Sequence, residues 1–137
     1  MSESKLGLPI NLSSKFNLSS EELHRKINTL TAYQGGYIKS IFLGMAEANP
    51  TNGAILCEYL TAQQNELNIK ESTKESTTKR IIWLSAFLGH KIFSDITKEN
   101  ILTYLNVKVR KPDSVDPTHK WIGTYNGDQM VFSTFFR

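Results

Sequence analysis

The apolar residues in the first third of the chain recur with the spacing of helices. The first stripe, with intervals of four and three residues, consists of Leu23, Ile27 and Leu30. Ser19 and Glu22 precede it as a capping box, a pattern typical of a helix start. Gly35-Gly36 interrupts the period. A second stripe then follows at Tyr37, Ile38, Ile41, Phe42 and Met45. These positions predict one or two helices within residues 20–47.

Four further helices are predicted beyond a boundary at Ala48-Asn49-Pro50, because the residue before a proline avoids the helical region. Their expected ranges are near 52–68, 72–88, 97–107 and 122–136. The second of these would begin at a capping box from Ser72 to Glu75 and end at Gly89, and Thr97 would cap the third. The sequence shows no period-two alternation of the kind that marks a half-buried strand. The predicted fold class is therefore all-α, a small bundle of four to six short helices.

Composition narrows the class of protein. A chain of 137 residues suits one domain, and it holds no run of about 18 apolar residues that could span a membrane. Met1-Ser2-Glu3-Ser4 lacks the basic and then apolar layout of a secretory signal. The single cysteine, Cys57, cannot form an internal disulfide and is expected in the core. These features together suit a reducing cytoplasm.

The net charge of +3 is distributed unevenly along the chain. Residues 1–69 hold 5 Lys and Arg against 6 Asp and Glu, whereas residues 70–120 hold 10 against 6. The excess of basic residues therefore lies in the central segment of the chain, and it would suit a phosphate-binding surface. A lysine-rich solvated surface is the other interpretation of the same distribution.

The residue types needed for catalysis are not grouped in the sequence. His24, His90 and His119 fall in different predicted elements, and no Cys/His spacing suits zinc. Gly35-Gly36 lacks the strand and the lysine of a phosphate-binding loop. Tyr104 and Tyr125 lie within apolar stripes, which favours core or groove positions over a nucleophilic role. The sequence therefore predicts no catalytic residue, no metal site and no cofactor.

Three pieces of the second half occur in a recognisable order. They are Ser72-Thr73 with Phe87-Leu88-Gly89, then Ile96-Thr97-Lys98-Glu99-Asn100-Ile101-Leu102-Thr103-Tyr104-Leu105, then Thr124 with Phe132, Phe135, Phe136 and Arg137. This order resembles the SAM-like core-binding domain that precedes the catalytic domain of tyrosine recombinases, or phage-type integrases. The segment from Lys111 to Arg137 looks most like archaeal members. The resemblance covers about residues 50–137, and residues 1–49 match no family.

The resemblance implies that residues 50–137 are a DNA-binding domain and that a catalytic domain would follow residue 137. Residues 1–49 would be a tail with extra helices of unknown role. Such a domain forms, together with the catalytic domain, a C-shaped clamp around double-stranded DNA. The implied function is DNA binding for site-specific recombination in a prokaryotic cytoplasm, without catalysis by this part. A full-length recombinase would oligomerise on DNA, and this part alone is compatible with a monomer.

The expected DNA contacts lie on the second predicted helix after the boundary and at the start of the last helix. They are Ser72, Thr73, Lys74, Thr77, Thr78, Lys79, Lys120, Thr124 and Asn126. Free N–H groups at a helix start favour phosphate, hydroxyl groups donate to phosphate oxygens, and lysines release counterions. Lys74, Thr78, Lys79 and Lys120 are predicted to share one face that contacts phosphates. A base edge would be reached by Thr77, Asn126 or Gln129, and Asn126 is favoured because an amide can pair with adenine.

Three features leave alternatives open. Lys108, Arg110 and Lys111 form the densest basic cluster, but they are expected in a mobile, solvated loop. Asp128 stands where family members often carry a basic residue, and it would repel phosphate. The competing function is a helical protein-interaction module. Its partner-binding surface would be the stripe from Tyr37 to Met45.

Overall fold

The computed structural model describes residues 19–136, which form six α-helices and no strand. The helices are α1 (Ser20–Leu30), α2 (Gly36–Ala48), α3 (Pro50–Leu67), α4 (Glu71–Phe87), α5 (Lys98–Tyr104) and α6 (Trp121–Phe135). A 3-10 turn at Phe93–Asp95 precedes α5, and a π-helical turn at Leu105–Val109 follows it. The predicted all-α bundle is confirmed. Each of these helices is too short or too polar to cross a membrane.

The predicted caps at Ser19, Thr97 and Gly89 are confirmed. Ser19 Oγ accepts a hydrogen bond from the backbone N–H of Glu22 at 3.2 Å, which satisfies one free donor at the start of α1. Thr97 and Asn100 form a reciprocal capping box at the start of α5. Gly89 has φ +67 after the end of α4, in the left-handed region that favours glycine.

The predicted capping box at Ser72 and Glu75 is wrong. Helix α4 begins at Glu71, after Lys70, and no side chain caps it. Ser72 therefore lies inside the first turn. Glu71 supplies the negative charge that a helix start favours, and its carboxylate lies 2.9 Å from Lys74 Nζ.

The predicted helix over 97–107 is too long, because α5 ends at Tyr104. The chain then makes the π-helical turn, in which the backbone N–H of Arg110 donates to the carbonyl of Leu105 at 2.9 Å. This wider turn buries both Leu105 and Val109. Such turns often mark functional sites in helices.

One continuous hydrophobic core joins residues from α1 to the end of α6. Helix α3 packs on α1 and α2, α2 packs on α4, and α6 packs on α4 and the π-helical turn. Helices before and after Pro50 both contribute residues to this core. The core is therefore continuous across the junction of α2 and α3. Cys57 is buried in the core as predicted. Its burial raises the pKa of the thiol to about 12, which keeps the thiol neutral.

The second apolar stripe is a core element. Ile38, Phe42 and Met45 are buried, and only Tyr37 is strongly exposed among the five residues of the stripe. Most of the apolar area is therefore already covered by the other helices of the chain. The interpretation of this stripe as a partner-binding surface is wrong.

Two asparagines fasten the segment after α4 to the start of α3. Asn52 is fully buried, its Nδ2 donates to the carbonyl of Lys91 and its Oδ1 accepts from the backbone N–H of Phe93, both at 2.9 Å. Asn49 caps α3 and donates to the carbonyl of His90 at 2.9 Å. These bonds satisfy backbone groups that the bend around Gly89 leaves without helical partners.

We expect Asn52→Ala to lower the free energy of unfolding by about 2–4 kcal/mol, because it leaves two buried backbone groups without partners. Urea denaturation followed by circular dichroism would measure the change. Asn65→Ala is the matched control, since Asn65 is exposed on the same helix and should change stability by about 0.5 kcal/mol or less. Equal effects of the two substitutions would contradict the role given to Asn52.

Candidate functional site

A groove with an excess of positive charge lies between α4, the π-helical turn, the loop over 110–120 and the start of α6. We call it the basic groove, and its volume is about 460 Å³. Five basic side chains line it, namely Lys79, Arg80, Lys108, Lys111 and Lys120. Two carboxylates and three aromatic residues also line it, namely Asp116, Asp128, Trp83, Tyr104 and Trp121. The basic groove thus combines cations with flat apolar surfaces.

Aromatic rings contact two of these cations. Lys79 Nζ lies 5.3 Å from the centre of the Trp83 ring, and Lys108 Nζ lies 5.9 Å from that of Phe87. The Trp83 ring is itself oriented, because its indole N–H donates to Tyr37 Oη at 3.0 Å. Cation–π contacts at exposed sites contribute about 0.5–1 kcal/mol each. The lysines are therefore biased towards positions along the walls of the groove.

The carboxylate of Asp116 already binds the backbone at the start of α6. Asp116 Oδ2 accepts a hydrogen bond from the backbone N–H of Trp121 at 2.9 Å. Desolvation opposes the charged form of Asp116, but hydrogen bonds from the backbone of Trp121 and Lys120 outweigh it and hold the pKa of this carboxyl below its usual value. A phosphate at this helix start would compete with Asp116. A phosphate would therefore contact Lys120 and Thr124 mainly through their side chains.

Arg80 and Asp128 form an ion pair at the floor of the basic groove. Arg80 Nη1 lies 3.2 Å from Asp128 Oδ1, and the two side chains keep 25% and 5% of their surface exposed. Burial raises the pKa of the Asp128 carboxyl, and the nearby Arg80 guanidinium works in the opposite direction. Asp128 thus faces inward and lies under the groove.

Tyr104 is not activated as a nucleophile. Burial, together with the charge of Asp128, raises the pKa of its phenol to about 12, although Arg80 partly opposes this. A phenol with a raised pKa is a poorer source of phenolate. In the described residues no three metal-ligating side chains come together.

The structure brings three of the nine predicted contact residues into the basic groove. Lys79, Lys120 and Thr124 line it together. Ser72 and Thr73 are exposed on the first turn of α4, and Asn126 is exposed on α6, but these three residues do not line the groove. Of the face predicted to contact phosphates, Lys79 and Lys120 thus line one groove, and Thr124 lines it with them.

The prediction that Lys74, Thr78, Lys79 and Lys120 share one face is wrong. Lys74 and Thr78 are buried, with 4% and 1% of their surface exposed, and so is Thr77. Lys74 Nζ donates to Gln64 Oε1 at 3.0 Å and pairs with Glu71, on a side of α4 away from the basic groove. One residue along a helix turns a side chain by about 100°. Lys79 therefore reaches the groove, whereas Thr78 packs inside and donates to the carbonyl of Lys74 at 2.7 Å.

Among the residues that line the basic groove but were not predicted to contact DNA are Trp83, Arg80, Lys108 and Lys111. Trp83 lies on α4 and is 41% exposed. Lys108 and Lys111 were expected in a mobile loop, yet Lys108 belongs to the π-helical turn and both line the groove together with Lys79 and Lys120. The signal for these lysines was their local charge density. Nothing in the order of residues says that two basic segments meet.

No protein-family model matches the sequence, and neither a curated protein nor a solved structure matches it. The resemblance to core-binding domains of tyrosine recombinases therefore stays a prediction from the three pieces of sequence. The geometry and charge of the basic groove are the observations that bear on function.

We expect Asp128→Lys to lower the free energy of unfolding by about 3–5 kcal/mol, because it places a second cation against partly buried Arg80. Asp128→Asn should cost clearly less, because it removes the carboxylate without placing a second cation beside the guanidinium. Urea denaturation of both variants would measure the difference. A stable Asp128→Lys variant would show that Asp128 is not held under the groove.

Proposed function

We propose that the chain binds double-stranded DNA through the basic groove, as the core-binding part of a site-specific tyrosine recombinase. The observation that supports this most is the meeting of five basic side chains from α4, the π-helical turn and the loop before α6 in one groove. Unlike a solvated lysine surface, this arrangement concentrates charge where a phosphate backbone could lie. All five residues belong to the central segment, residues 70–120, that carries the basic excess of the sequence.

Binding would depend mainly on phosphates. Lysine and arginine neutralise phosphate charge and release counterions, which makes affinity fall steeply with salt. Thr124 would donate its hydroxyl to a phosphate oxygen. Asn126, two residues along α6, is turned by about 200° from Thr124 and lies outside the groove, so its predicted base contact is not part of this proposal. Because the resemblance assigns half of the clamp to a catalytic domain, residues 1–137 alone should bind weakly, with a Kd of roughly 1–100 µM.

We expect the triple variant Lys79→Ala, Lys108→Ala, Lys120→Ala to bind duplex DNA more weakly on every sequence. The slope of log affinity against log salt should fall by about 0.9 for each phosphate that the variant no longer neutralises. Fluorescence anisotropy at two salt concentrations would measure both effects. The charge-matched control is Lys26→Ala, Lys70→Ala, Lys98→Ala, whose lysines are exposed and lie outside the basic groove.

Equal weakening by the two triple variants would reject the basic groove as the site and leave only a general charge effect. If the unmodified chain fails to bind duplex DNA even at low salt, the proposed function itself is wrong.

We also expect no covalent adduct between this chain and nicked duplex DNA. Tyr104 is the buried phenol of the groove, with its pKa raised to about 12, and the resemblance assigns the nucleophile to the part after residue 137. Denaturing gel electrophoresis with labelled DNA would detect an adduct. A labelled protein band would contradict the proposed division of roles.

A further inference from the structure

We propose that Arg80 is the principal phosphate-binding residue of the basic groove and that Gly127 and Asp128 are positioning residues for its guanidinium. The ligand class is a phosphate group, either in a nucleic-acid backbone or free in solution. The nucleic-acid case rests on the proposed function, whereas the free anion does not. Asp128 would repel phosphate if it faced the ligand. In this proposal Gly127 and Asp128 instead favour binding, because they position Arg80.

The first supporting observation is the fit of Arg80 against α6. A Cβ atom at position 127 would collide with Arg80 Nη1 and would lie 3.1 Å from Arg80 Cζ. Only a residue without a side chain lets the guanidinium lie this close to the helix. Gly123, one turn earlier on α6, has nothing within 4 Å of such a Cβ. The space at Gly127 is therefore specific to Arg80 and is not a general property of this helix.

The second observation is the division of exposure within the ion pair. Asp128 is almost fully enclosed, and Arg80 keeps about a quarter of its side-chain surface exposed on the groove side. A guanidinium has five N–H donors in a planar fork, so a contact through Nη1 leaves donors for a second oxyanion. Asp128 thus contacts one edge of the planar guanidinium, through Nη1. The free edge can bind a phosphate with two parallel hydrogen bonds.

The third observation is the set of cations around this position. Lys79, Lys108 and Lys120 line the same groove, and Asp116 is occupied by the backbone at the start of α6. The buried carboxylate of Asp128 offsets one positive charge, so the site keeps an excess of positive charge. A bound phosphate would therefore lie among several cations, with Arg80 as the one whose direction is set by packing.

The variant Asp128→Asn distinguishes the positioning of Arg80 from an effect of net charge alone. Removing a carboxylate near a phosphate should strengthen binding if only net charge matters. If Asp128 positions Arg80, the same change should weaken binding about threefold or more. Glu66→Gln is the matched control, because Glu66 is exposed and lies outside the groove. In an Arg80→Gln background, which should itself bind about tenfold more weakly, Asp128→Asn should have no further effect.

Gly127→Ala makes the same test without changing charge. The guanidinium is the far end of a flexible side chain, so the protein should fold while Arg80 moves away from Asp128. Gly123→Ala brings the same gain in helix propensity and should leave binding unchanged. Circular dichroism and urea denaturation of each variant would confirm that it is folded before binding is compared.

Tryptophan fluorescence is a suitable readout, because both tryptophans of the chain, Trp83 and Trp121, line the groove. The full 137-residue chain is titrated with a short DNA duplex and, separately, with inorganic pyrophosphate. The proposal expects Asp128→Asn and Gly127→Ala to weaken binding of each probe that the unmodified chain binds, while Glu66→Gln and Gly123→Ala do not.

Unchanged or tighter binding by folded Asp128→Asn and Gly127→Ala would overturn the positioning roles, even if duplex DNA binds well. Binding of pyrophosphate with the expected variant effects, but no binding of duplex DNA, would support the phosphate site and reject the proposed function. Binding of neither probe by the unmodified chain would reject both.

Discussion

The packing of α6 through its aromatic residues is the constraint on which the rest of the described structure depends. Phe135 and Phe136 contact the ring of Phe93 edge to face, with centroid distances of 5.1 and 5.9 Å, and Phe132 approaches Tyr104 at 6.0 Å. Edge-to-face pairs add directional attraction to the burial of apolar area. Because these contacts set the rotation of α6, they also decide which of its residues face α4.

The same rotation places Gly127 and Asp128 under Arg80 and leaves Thr124 in the groove. Phe93, against which α6 packs, is itself held by the hydrogen bond from its backbone N–H to Asn52. A chain of contacts therefore links the start of α3 to the position of the basic groove. Polar and aromatic contacts cooperate here, since the buried amide orients the backbone that presents the aromatic ring.

The basic groove illustrates how a small helical protein keeps positive charges close together. Like charges repel, so a cluster of lysines and arginines lowers stability unless other groups offset it. In this structure Asp128 offsets Arg80 from below, and aromatic rings contact Lys79 and Lys108. Lys74 has a different environment, enclosed by Glu71 and Gln64. The distinction between a charge paired within the fold and a charge facing a groove separates structural from candidate functional cations.

Local rules were sufficient for the elements of the fold. The cap at Ser19, the capping box at Thr97 and the glycine after α4 act within a few residues, and the sequence alone located all three. The all-α class followed from helical periodicity. The wrong cap of α4 and the early end of α5 arose where a charged residue and a π-helical turn replaced the expected pattern. Such boundaries depend on competing weak preferences, which tertiary contacts decide.

The candidate site was decided by tertiary structure. The sequence singled out Lys79, Lys120 and Thr124 as well as a separate basic cluster near Lys108, but only packing shows that they line one groove. It also placed Lys74 and Thr78 with them, because a stretch rich in polar residues does not reveal which side of a helix will be buried. Asp128 is the sharpest case. Its charge could be known from the sequence, whereas its pairing with Arg80 depends on how closely α4 and α6 pack, which no local pattern in either helix specifies.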